Sequence, residues 1–114
     1  MLEWQEEIYG AGYGIRRTHF ELVRVNDVAT SAVTLSFSSG QFVPYNTTGG
    51  AFTITLPASP TEGMQFNFSE NAGSATALTI DGNGKNIVGA GTMWRSTAYL
   101  ATKLRYNGTQ WITV

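Results

Sequence analysis

The chain has 114 residues, of which 42% are hydrophobic and only 13% charged, with a formal net charge of -1 and a pI near 5.7. That length fits a single domain, and a charge content about half the ~25% of an average soluble domain leaves an unusually neutral surface. The seven Lys and Arg are scattered and give no electrostatic footprint for nucleic acid. The lack of cysteine removes disulfides, thiolate metal sites and thiol nucleophiles together, and no window approaches the ~18 apolar residues of a membrane span.

Residues 1–20 read as an irregular arm, with residues 21–114 as one β-domain. In the arm, Trp4, Ile8, Tyr9 and Tyr13 are interrupted by Gly10, Gly12 and Gly14, which limit any helix to a turn or two between Leu2 and Ile8. The acids in this stretch stand where a secretory signal needs a basic start and an apolar run, so no such signal is expected. Period-2 alternation then takes over. "ELVRVNDV" sets Val23 and Val25 on one face, and "AVTLSF" does the same for Val33, Leu35 and Phe37. "QFVPYNTTGG" predicts a short strand closed by Pro44 and the turn chemistry of Thr47 to Gly50.

"GGAFTITLPASPTEGMQFNF" predicts two strands. Phe52, Ile54 and Leu56 share one face of the first, and Met64, Phe66 and Phe68 one face of the second. The outward sides carry Thr53, Thr55, Gln65, Asn67 and Ser69, none of them charged. "ALTI", a glycine-spaced "IVGAGTMW", "YLATKLRY" and "QWITV" complete the pattern. Two turns are specific, "DGNGK" at Asp81 to Lys85 and Asn107-Gly108 in "YNGTQW", because Asn-Gly between alternating apolar runs is a strong hairpin signal. Turn signals every 8 to 12 residues or so predict an all-β fold, an antiparallel β-sandwich or jelly-roll-like barrel.

The residues able to carry chemistry form no catalytic constellation. His19, the only histidine, sits beside Arg16 and Arg17 with no acid-serine arrangement to make it a general base. Glu70 and Asp81 fall in separate turns. "DGNGK" lacks the later acidic ligand and the spacing of a calcium loop, so a plain turn is the expectation. "GAGYG" has Ile15 where a dinucleotide fingerprint needs its third glycine. Trp94, Tyr99, Tyr106 and Trp111 are read as core or hairpin packing in preference to a sugar-stacking platform. No enzyme, cofactor or metal is expected.

In order along the chain, "GGAFTITLPASPTEGMQFNF", "ALTIDGNGKNIVGAG" and "KLRYNGTQWITV" resemble a β-module of tailed-bacteriophage virion proteins. The module occurs in tail fibres and spikes and in small capsid decoration or head-fibre proteins. The resemblance covers about residues 41 to 114 and implies a homotrimer without catalytic residues that binds other virion proteins or host surfaces. It implies location in the virion. A short chain with an aromatic arm and one β-body looks more like a capsid decoration, or cement, protein with the major capsid protein as partner. The alternative is a receptor-binding or tail-fibre module recognising a host surface glycan. Thr53, Thr55, Gln65 and Asn67 then become the candidate subunit interface, since neutral polar side chains avoid the several kcal/mol per ion of burying unpaired charge. In the arm, Trp4, Ile8, Tyr9 and Tyr13 are the candidate anchors on a neighbouring virion protein. Arg16 and Arg17 are placed to reach its carboxylates, and folding of the arm onto its own sheet is the alternative.

Overall fold

A computed structural model describes residues 25–114. The arm, with Trp4, Ile8, Tyr9, Tyr13, Arg16 and Arg17, lies outside the described residues, as do His19 and Val23. The described residues form eight strands and no helix. These are β1 (Val33–Thr34), β2 (Phe42–Tyr45), β3 (Phe52–Thr55), β4 (Gln65–Glu70), β5 (Leu78–Asp81), β6 (Thr92–Arg95), β7 (Ala101–Tyr106) and β8 (Trp111–Thr113). They build two four-stranded sheets, β1-β3-β5-β6 and β2-β4-β7-β8. The all-β, sandwich-like architecture expected from alternation is therefore what the described residues adopt.

Pairing within the sheets corrects the antiparallel expectation. β1 pairs with β3, β3 with β5 and β2 with β4 in parallel, and only β5-β6, β4-β7 and β7-β8 are antiparallel. From β1 to β5 the chain changes sheet at every connection, so each strand returns beside the one before last and runs the same way. Parallel neighbours need a long crossover, usually a helix; here a strand of the other sheet supplies it. The winding begins before β1, where Val25 and Ala29 bridge in parallel to Phe42 and Tyr45. For the same reason β3 and β4, adjacent in sequence, are not a hairpin.

Between the sheets lies one core of Leu35, Val43, Tyr45, Ile54, Leu56, Phe66, Phe68, Leu78, Ile80, Ile87, Leu104, Tyr106 and Trp111. Each large apolar side chain taken from water contributes about 1.5–3 kcal/mol, which orders the alternation into inward and outward faces. Leu35 is buried, but Val33 is 40% and Phe37 79% exposed, because β1 is only two residues long and the chain turns at Ser36 to Ser39 before Phe37 can face inward. At the other end, Trp111 packs between Phe66 and Tyr106, with ring centroids 5.9 and 5.4 Å away.

Both predicted turns are present. In "DGNGK", Asn83 and Gly84 have φ of 54° and 92°, and the Lys85 N–H donates to the Gly82 carbonyl at 3.2 Å. Two successive positive φ values define the mirror-image turn that Asn-Gly favours. A second turn of the same kind at Val88-Gly89 follows before β6 begins. After β7, Asn107 acts through its side chain, Oδ1 accepting the Thr109 and Gln110 N–H groups at 2.9 Å each, while Gly108 takes the positive φ.

Candidate functional site

Each sheet turns one face to the core and one outward, and the two outward faces differ chemically. On the second sheet, Phe42, Pro44, Asn67, Ser69, Ala101 and Lys103 project away from the core residues Val43, Phe68 and Leu104. With Val25 and Val114 at its ends, this face encloses an open groove of about 780 Å³. Val25, Phe42 and Val114 are all exposed, at 64%, 39% and 52%. One row away, Gln65 Oε1 accepts from Arg105 Nε and Nη2 at 3.2 and 3.1 Å, and Gln65 Nε2 donates to Asn67 Oδ1 at 3.0 Å.

On the first sheet the outward residues are Thr34 from β1, Thr53 and Thr55 from β3, Thr79 and Asp81 from β5, and Thr92 and Trp94 from β6. Thr53, Thr55, Gln65 and Asn67 therefore do not form one patch. The threonines face out from one sheet and the amides from the other. Alternation had identified each as outward, but which sheet a strand joins is decided by the crossovers, which leave no mark in a period-2 pattern.

The four late aromatics also separate. Tyr106 and Trp111 are buried as a cross-strand pair, as expected, whereas Trp94 and Tyr99 are 73% and 70% exposed. Trp94 faces out because its partner Thr79 does, lying between the buried Leu78 and Ile80. Tyr99, in the β6–β7 connection, has φ of 58°, and its hydroxyl lies over Gly73 so closely that a Cβ there would collide with it.

Sequence reasoning missed the role of Glu70. Its side chain is 2% exposed, covered by loop backbone, and its carboxylate accepts N–H groups from Gly73 at 2.8 Å, Tyr99 at 2.9 Å and Ala72 at 3.1 Å. Desolvation raises the pKa, but backbone N–H donors of Tyr99, Ser74, Ala72 and Gly73 outweigh it and hold the carboxyl below the usual glutamate value. A carboxylate that accepts several backbone N–H bonds is stabilised in its charged form. Nearby Tyr45 is affected in the opposite sense: burial raises its phenol pKa, the Glu70 charge adds to the effect, and Arg95 opposes it. Glu70 thus clamps the β4–β5 and β6–β7 connections together. Asp81 lies at the end of a strand in the other sheet and accepts the Asn83 N–H at 2.8 Å, a turn contact. Among the described residues no group of three His, Cys, Asp or Glu is placed to hold a metal ion.

No protein-family model matches the chain, and no curated protein matches it.

Proposed function

We propose that the protein is a non-enzymatic structural component of a tailed-phage virion, a homotrimer that decorates the capsid by binding the major capsid protein. The observation carrying this reading is the uncovered apolar groove on the second sheet, between Val25, Phe42, Pro44 and Val114. Exposed contiguous apolar surface on a small domain marks a place where something docks. Neutral Gln65 and Asn67 extend the face without presenting a carboxylate to be desolvated. A ring of three copies makes heterologous contacts, in which two different patches of each protomer meet; the second-sheet face is one of them. Imaging an intact particle tests the assignment: density for this protein on the shell at capsomer junctions is expected, and density confined to the tail would contradict it.

A second reading, a receptor-binding module that recognises a host surface glycan, is favoured by the exposure of Trp94 on the opposite face.

A further inference from the structure

In the first sheet the register sets Trp94 beside Thr79 and Thr79 beside Thr53, and the next outward row sets Thr92 beside Asp81 and Asp81 beside Thr55. Strand spacing makes each row about 10 Å wide across three strands, with the rows about 7 Å apart. That is the footprint of two pyranose rings. Trp94 stands on the edge strand with its indole uncovered, 73% exposed. The hydroxyls of Thr53, Thr55, Thr79 and Thr92 have no hydrogen-bond partner among the described residues. Asp81 accepts one turn N–H through Oδ1, which leaves Oδ2 for an outside donor.

An indole presents an electron-rich face that attracts the C–H side of a sugar ring, and its N–H end stays wet. Hydroxyl groups, which both donate and accept, match the ring's own hydroxyls whichever way these point. A protein partner is a poorer fit: interface cores are apolar and depleted of charge, whereas apart from Trp94 these two rows consist of threonines and one carboxylate. Asp81 is the one ionisable group in them, so a neutral chain is accommodated and an acidic one repelled. We infer that this face is a binding site for a neutral glycan built of pyranose rings. Trp94 is its stacking platform, and Thr53, Thr79, Thr92 and Asp81 are its hydrogen-bond partners. The inference rests on the receptor-binding reading for its ligand class and requires neither a trimer nor a capsid.

The test uses the full chain with soluble dextran, galactomannan and mixed-linkage β-glucan as probes and hyaluronan as the acidic control, read by tryptophan fluorescence and affinity electrophoresis. Binding to at least one neutral polymer and none to hyaluronan is expected. Trp94→Ala should weaken that binding about tenfold or more with an unchanged Tm, since loss of one stacking contact is worth roughly a factor of ten. Thr79→Val, which keeps the shape and removes one hydroxyl, should weaken it less. If a neutral glycan binds wild type and Trp94→Ala equally, this site is wrong while the receptor-binding reading stands. If none of the three binds, the inference fails; the receptor-binding reading falls with it where hyaluronan is not bound either, and stands where hyaluronan is bound. If Trp94→Ala alters the sedimenting mass and leaves glycan binding intact, the face is a contact between copies and the site is overturned.

Discussion

At the scale of single residues, Glu70 makes the clearest prediction, because one carboxylate holds two connections through backbone donors. Its folded pKa lies below the ordinary 4.5, so its contribution is fully present above that value and is lost as the pH falls through the lower folded value. Glu70→Gln should therefore lower the Tm at neutral pH and reduce the loss of Tm on acidification, so that the two proteins converge in acid. Equal melting temperatures at pH 7 would show that the clamp is not stabilising. Thr102 is the opposite case. It is 5% exposed and its Oγ1 is buried without a hydrogen-bond partner. Leaving a buried hydroxyl unsatisfied costs about 1–3 kcal/mol, so Thr102→Val, with the same shape, should raise stability by about 1 kcal/mol in urea unfolding.

At the scale of elements, the two turns and the last hairpin set which residues reach the surface. Gly82 is buried, and a Cβ at that position would collide with the Lys85 carbonyl across the turn. Gly82→Ala should cost about 2 kcal/mol or more, the range of a backbone clash at a constrained site, while Gly49→Ala, where a Cβ meets nothing within 4 Å, should lie within about 0.5 kcal/mol of wild type. Trp111 is fully buried against Phe66 and Tyr106. Its truncation to alanine should cost about 3–5 kcal/mol by equilibrium unfolding. Trp111→Phe should cost less, because the indole Nε1 is itself buried without a partner and its removal offsets part of the lost packing.

These elements also show what was legible in the sequence. Inward Ile54, Leu56, Phe66 and Phe68, the Asn83-Gly84 and Asn107-Gly108 turns and the Tyr106–Trp111 pair followed from alternation and turn chemistry, which act over a few residues. Parallel pairing did not, because nothing local records that β2 and β4 carry the chain to the other sheet. The exposure of Trp94 and Tyr99 leaves no mark in the pattern for a related reason. Trp94 lies in a short edge strand whose facing is fixed by its partner Thr79, and Tyr99 is held in an unusual backbone conformation where its N–H donates to Glu70.

At the scale of the whole molecule, a chain with 13% charged residues folds into a sandwich-like body with one apolar grooved face and one face of threonines around an exposed tryptophan. We propose the first for subunit contact and the second for a neutral ligand, and the two separate because the sheets turn their outer sides away from each other. Sedimentation equilibrium of the purified chain at micromolar concentration tests the central proposal most directly, that the grooved face joins copies of the protein. The account predicts about three times the 12.4 kDa chain mass, falling to the monomer mass in Phe42→Lys, which sets a second cation in the groove beside Lys103 without touching the core. A wild-type monomer, or a trimer that Phe42→Lys leaves intact, would contradict it.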